Sequence, residues 1–137
     1  MSIELAATGA SGTHGPAVKV SAPFGLYYLS GINPNPVYVG QPMTDDEARS
    51  PAGIREQAAQ TLANLDEVLG AKGLSWGNVA KIILYLTDIR EAPAVRAAIT
   101  GRYGADWTPA FTTVQVDNLV TRGARVQLDV IAGGPTS

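Results

Sequence analysis

A chain of 137 residues supports one hydrophobic core and is short for two, so a single domain over residues 1–137 is expected. A hydrophobic share of 45% against 16% charged residues suits a compact globule, and a net charge of -2 gives no general attraction to a phosphate backbone, which argues against nucleic-acid binding. With no cysteine and one histidine, His14, the sequence excludes disulfides, thiolate nucleophiles and zinc–thiolate sites, and neither a metal nor another cofactor is expected.

The opening Met1-Ser2-Ile3-Glu4 lacks the basic region of a signal peptide, and no run approaches the roughly 20 apolar residues of a membrane span, so the expectation is a cytoplasmic protein without a membrane partner. Residues 17–21 and 26–32 alternate or run apolar around a Pro23-Phe24-Gly25 break, which predicts two strands joined by a turn. Pro34, Pro36 and Pro42 interrupt regular structure over 33–43, a loop that Val37, Tyr38 and Val39 can anchor by burial. The Asp45-Asp46-Glu47 run after it reads as a solvated surface and not as a metal site. Ser50-Pro51 is a helix start, with serine as N-cap and proline at the first helical position. Ile54, Ala58, Leu62, Leu65 and Leu69 then follow at helical spacing until Gly70 and Gly73 end the run.

Val79-Ala80-Lys81-Ile82-Ile83-Leu84-Tyr85-Leu86 is too apolar for an exposed edge and predicts a central strand. Asp88 with Glu91 has the spacing of a capping box, and Pro93 requires the second helix to begin near Ala92; it runs to about Tyr103, before Gly104. Residues 111–116 and 125–131 alternate and predict a closing pair of strands. The order places two helices against one face of a mixed or antiparallel sheet, an α+β arrangement. The other face then needs a partner, and in so small a domain the partner expected is a copy of the same chain.

Three blocks carry a resemblance to a known family: Leu29-Ser30-Gly31-Ile32-Asn33-Pro34, Gln57-Ala58-Ala59-Gln60-Thr61-Leu62-Ala63-Asn64-Leu65, and Thr108-Pro109-Ala110-Phe111-Thr112-Thr113-Val114-Gln115-Val116. Together with the central strand and its following Asp88, they make the chain similar to the Rid family, also called YjgF or reactive intermediate deaminases. The resemblance implies a chorismate-mutase-like α+β fold, a homotrimer around a central barrel, and intersubunit clefts that take small carboxylates. In deaminating members an arginine after the Pro-Ala pair grips the substrate carboxylate, and a late-strand glutamate helps water add to an imine carbon. Here the arginine position holds Phe111, whose ring cannot form a bidentate salt bridge. The glutamate position falls on Asp129, a common tyrosine position on His14, a helix asparagine position near Arg96, and the family serine is kept as Ser30.

Each of these residues also has a plainer reading. Phe111 is either a core side chain or the aromatic wall of a cleft, and Trp107 either packs at an interface or lines the same cleft. Asp129 is a solvated strand residue or the group that handles water; His14 is a loop residue or a second acid–base group. Ser30 is a strand-end hydroxyl satisfying backbone or a polar anchor for a ligand. Arg96, Arg102, Arg122 and Arg125 are surface charges unless one replaces the missing fork. The expected site therefore has Asp129, His14 and Ser30 as catalytic groups, with Phe111, Trp107, Ala110, Tyr28, Gln115 and Arg96 around the substrate. The function expected is that of a divergent Rid enzyme acting on a small enamine, imine or related unsaturated carbonyl compound by hydrolysis, tautomerisation or dehydrative cyclisation. Such a site depends less on a free substrate carboxylate. A non-catalytic ligand-binding or regulatory trimer is the alternative, and a ribonuclease stands behind both because the acidic chain shows no basic cleft.

Overall fold

Ala58, Leu62, Leu65 and Leu69 draw one buried stripe along helix α1 (Ile54–Ala71), and this stripe lies on a sheet whose strands present a matching apolar face. The structure is a computed structural model that describes residues 2–6, 17–21, 24–35 and 53–135. Strands β1 (Ser2–Ala6) and β2 (Ala17–Ser21) form an antiparallel pair. The main sheet contains β3 (Gly25–Tyr28), β4 (Val79–Leu86), β5 (Ala110–Gln115) and β6 (Val126–Gly134), in the order β3-β6-β4-β5. Helix α2 (Ala92–Tyr103) connects β4 to β5, which run parallel; β6 is antiparallel to both β3 and β4. The chain adopts the expected α+β arrangement of two helices on a sheet; the sheet is mixed and four-stranded, and the strand at 17–21, expected beside the one that follows it, pairs with β1 instead.

Several local expectations are corrected. Gly53, in extended conformation, caps α1, and the first helical bond runs from the Gln57 amide to the Gly53 carbonyl at 2.9 Å. The cap thus falls three residues after the Ser50 expected to supply it; Ser50 and Pro51 lie outside the described residues, as do the Val37–Val39 anchor and the Asp45 cluster. Gly73 supplies the stop with a φ of +72°, and the Leu74 amide reaches back to the Leu69 carbonyl at 2.8 Å. Asp88 caps a single 3-10 turn, Ile89–Glu91, by accepting from the Arg90 amide. Glu91 turns away from the expected capping box to pair with Arg125, and Pro93 sits in the first turn of α2. The last two strands are not neighbours, because β4 lies between them: β5 joins β4 through the α2 crossover, and the link from 116 to 125 carries the chain past β4 to its far side. Strand β1 had no counterpart in the sequence reading.

The register assigns every side chain to a face. Ile82, Leu84 and Leu86 of β4 stand opposite Val130, Leu128 and Val126 of β6, and all six are at most 1% exposed beneath α1 and α2. Each such side chain contributes on the order of 1.5–3 kcal/mol through burial. The opposite face carries Leu26 and Tyr28 of β3, Gln127, Asp129 and Ile131 of β6, Lys81, Ile83 and Tyr85 of β4, and Thr112 and Val114 of β5. Strand β2 approaches β4, yet Tyr28 stays 73% exposed and Leu26 47%.

Three polar residues share the buried side of α1. The Gln57 side chain donates to the Gly123 carbonyl at 2.9 Å and accepts from the Arg125 amide at 2.8 Å; the Asn64 side chain donates to the Asn33 and Asn35 carbonyls at 2.8 and 2.6 Å; and Thr61 bonds back to the Gln57 carbonyl. They hold the loop after β3 and the turn before β6, which frame the central strands. Gln57→Leu keeps the volume and strands two backbone groups, so it is expected to destabilise the fold by about 2–4 kcal/mol. Urea unfolding monitored by circular dichroism checks this; a loss under 1 kcal/mol would show that water replaces the clamp.

Candidate functional site

Pro109 lacks an amide hydrogen and cannot extend a ladder, so β5 begins at the next residue, Ala110. Phe111 pairs with Ile82 and Thr113 with Leu84, which turns both toward the helices. There the Arg96 guanidinium of α2 lies over the Phe111 ring, its central carbon 4.4 Å from the ring centroid, and Nη2 donates to the Thr113 hydroxyl at 3.2 Å. Burial alone pulls the Arg96 pKa below the usual arginine range, and the group stays cationic at neutral pH. Trp107 Nε1 donates to the Val79 carbonyl at 2.9 Å and the ring packs against the core, so its indole anchors the entry to β5. Gln115 accepts from the Ile89 amide at 2.8 Å and fixes the far end of the strand. Ala110, opposite Lys81, belongs to the helix-free face.

Asp129 stands on that helix-free face, opposite Ile83. Beside it the β3–β6 ladder is irregular. The Leu29 amide bonds the Val130 carbonyl at 3.0 Å and the Ile32 amide the Leu128 carbonyl at 2.8 Å, so Ser30 and Gly31 together span the single position of Asp129. A Cβ at Gly31 would stand 2.5 Å from Nε2 of Gln127, so a side chain there would push the Gln127 amide aside. Ser30 is exposed within this bulge. The structure therefore brings Ser30, Gln127 and Asp129 together, with Tyr28 on the same face, and separately brings Arg96, Phe111 and Thr113 together, with Trp107 at the strand's start. Phe111 and Asp129 project from opposite faces of the sheet, on strands separated by β4 and so about 10 Å apart. Within one chain they do not meet. His14 lies outside the described residues.

A second cluster joins the C-terminal ends of both helices. The Tyr103 hydroxyl donates to Asp66 at 2.7 Å, the Arg102 guanidinium takes the other Asp66 oxygen at 2.8 Å, and the Tyr103 ring stacks on Trp76 with centroids 4.2 Å apart. Burial, reinforced by Asp66, pushes the Tyr103 phenol well above its usual range. A cavity of about 330 Å³ opens beside it, lined mainly by Leu69, Leu74, Trp76 and Tyr103. Sequence reading passed over this cluster, as it did Gln57, Asn64, Gln127 and Thr113. For Gln57 and Asn64 a signal existed, because amides seven residues apart share the stripe that Leu62 and Leu65 make apolar. For the others no spacing gave one. Among the described residues no group of three or more His, Cys, Asp or Glu side chains is placed to hold a metal ion, and no helix is long and apolar enough to cross a membrane.

The arrangement has relatives. Residues 14–133 match the model of the family described as Endoribonuclease L-PSP. The chain belongs to this family. It is 32% identical over 117 residues to the goat (Capra hircus) 2-iminobutanoate/2-iminopropanoate deaminase, covering 83% of this chain and 84% of that one, and 31% identical over 126 residues to the human protein of the same description, covering 92% and 83%. A Myxococcus xanthus protein named DfrA is 40% identical over a shorter span of 76 residues, 56% of each chain. Among solved structures, the Rid-family protein YyfA of Yersinia pestis superposes with a TM-score of 0.68 at 26% identity, covering 96% and 99% of the two chains. RidA of the Antarctic bacterium Psychrobacter sp. PAMC 21119 gives 0.65 at 28%, covering 92% of each. Membership of the Rid family, expected from the three sequence blocks, is thereby shown.

Proposed function

We propose that the chain is a Rid-type enzyme that acts on a small enamine, imine or related unsaturated carbonyl compound in a cleft shared between subunits of a cytoplasmic homotrimer. The observation that carries the reading is the division of the site: Ser30 and Asp129 on the helix-free face, Phe111 and Arg96 on the other, in a chain whose uncovered face exposes Tyr28 and Leu26. A second copy on that face buries the apolar side chains and can set its own β5 edge against Asp129, so the two halves complete one another. Similarity to 2-iminobutanoate/2-iminopropanoate deaminases supports imine hydrolysis as the first reaction to test.

In that reaction water adds to the imine carbon, the nitrogen takes a proton, and the carbon–nitrogen bond breaks to give a carbonyl and ammonia. Asp129 orients the water and removes its proton, Ser30 holds the polar end of the substrate, and His14 returns a proton to the leaving nitrogen. Phe111 and Trp107 give the cleft its apolar wall; Tyr28, Ala110 and Gln115 flank it. Tautomerisation uses the same proton transfers without water, and dehydrative cyclisation runs water loss in place of water addition. Wild-type protein presented with 2-iminobutanoate and 2-iminopropanoate is expected to release ammonia above the uncatalysed rate and to sediment as a trimer. Spontaneous-rate hydrolysis across the imine panel, or a stable monomer at micromolar concentration, would overturn this reading. The packing of Phe111 against the core and under Arg96 favours one alternative, a trimer that binds small ligands without turning them over.

A further inference from the structure

We propose that the cavity at the C-terminal ends of α1 and α2 is a binding site for a small, flat, uncharged aromatic compound that carries one N–H or O–H donor, of the indole or phenol class. It is a different place from the cleft proposed above, since neither Ser30, Phe111 nor Asp129 lines it.

A volume of about 330 Å³ is at the small end of the range for small-molecule sites, roughly 300–1,000 Å³, so the cavity has room for one bicyclic ring and not for a peptide. Its apolar wall is already formed: Leu69, Leu74 and Trp76 are 1%, 7% and 8% exposed and are held by the core. The stacked rings of Trp76 and Tyr103 also line it, and an aromatic ligand gains face and edge contacts there that an aliphatic one lacks. Asp66 is the one charged residue among the described residues of the lining. Its Oδ2 accepts from Nε and Nη2 of Arg102, each at 2.8 Å, whereas Oδ1 takes a single donor, the Tyr103 hydroxyl at 2.7 Å. A carboxylate oxygen accepts two donors, so Oδ1 keeps a place for a donor of the ligand. Arg102 already balances the Asp66 charge, so a cation gains little at this position, and an anion would face the carboxylate. A neutral N–H or O–H fits. The space itself is left by the short side chains of Ser75 and Gly77 on either side of Trp76. Positive φ among the described glycines belongs to Gly73, Gly104 and Gly123, and a Cβ at Gly77 would meet nothing within 4 Å, so this position accepts a larger side chain without backbone strain.

The probes are indole and benzofuran, bicyclic rings of one shape in which an N–H of the first is an oxygen in the second. Wild-type protein, titrated by calorimetry, is expected to bind indole with a Kd of about 1 mM or tighter and benzofuran at least about fivefold more weakly, the loss of one hydrogen bond to a charged acceptor. Gly77→Leu fills the space and should weaken indole by about tenfold or more while the melting temperature holds. Asp66→Ala removes the acceptor and should bring the two probes to the same affinity; it carries the test by itself if Gly77→Leu no longer melts cooperatively. The inference is overturned if wild type shows no saturable binding of indole, if it binds both probes equally, if a folded Gly77→Leu keeps the wild-type affinity, or if Asp66→Ala keeps the preference for indole. Ammonia release plays no part in these readouts, so this site and the imine hydrolase stand or fall separately.

Discussion

In the imine hydrolysis proposed above, Asp129→Asn is expected to lower kcat/KM by about 10²–10⁴-fold, the range that a positioned acid–base group supplies. Asparagine has nearly the shape of aspartate and cannot accept the proton of an attacking water, so the substitution isolates the charge. The side chain lies on the helix-free face opposite Ile83, away from the core of Leu84, Leu128 and Val130, and the fold should lose less than about 1 kcal/mol. Asp129→Glu places the carboxylate one methylene further out, over the Ser30-Gly31 bulge, and should recover part of the lost rate. Steady-state ammonia release checks both variants. A rate that Asp129→Asn leaves within twofold of wild type would remove this residue from the chemistry and shift attention to its strand neighbour Gln127, against which Gly31 is packed.

The elements most legible in the sequence are those whose own residues carry the signal. The stripe at 58, 62, 65 and 69 gives α1 because helical spacing alone makes those four side chains one surface, and the apolar run from Val79 gives β4 because a strand buried among neighbours tolerates little polarity. Pairing is different. Nothing in residues 111–116 or 125–131 says that β4 will lie between them, since register and neighbour choice depend on which surfaces α1 and α2 cover once the chain has closed. The candidate site inherits that gap. Alternation along β5 and β6 shows that each strand has two faces, but only the pairing of Ile82 with Phe111 and of Ile83 with Asp129 reveals that the two residues face apart. The helix start was misplaced for a related reason: a serine–proline pair has cap chemistry wherever it stands, whereas the first turn begins where Gln57 can reach Gly123 and Arg125. The family blocks carried the rest, and their buried polar residues now have a physical account in the clamps made by Gln57 and Asn64.

Trp76→Ala is expected to destabilise the protein by about 3–5 kcal/mol, the usual cost of removing a large aromatic side chain from a packed site. Trp76 is 8% exposed, its ring stacks within 2° of parallel on Tyr103, and its indole donates to the Trp107 carbonyl at 3.2 Å. Alanine would join the lost volume to the adjoining cavity, withdraw the support beneath Tyr103, and leave the Trp107 carbonyl without this donor. Because Trp107 in turn holds the Val79 carbonyl at the start of β4, the damage should extend to the entry of β5 and loosen the Thr108–Phe111 segment. Alkaline unfolding provides a second readout. The Tyr103 phenol ionises well above its normal pKa in the fold and near 10 in the unfolded chain, so above pH 10 the unfolded state binds fewer protons and stability falls as pH rises. Burial is the main cause of that raised pKa, and Trp76→Ala exposes the ring, so the variant should lose stability less steeply above pH 10 than wild type does. Urea titrations at pH 7 and between pH 9 and 11 measure both effects. A variant that loses under 1 kcal/mol at pH 7 and keeps the wild-type alkaline slope would show that Asp66 and Arg102 hold Tyr103 in place without the tryptophan.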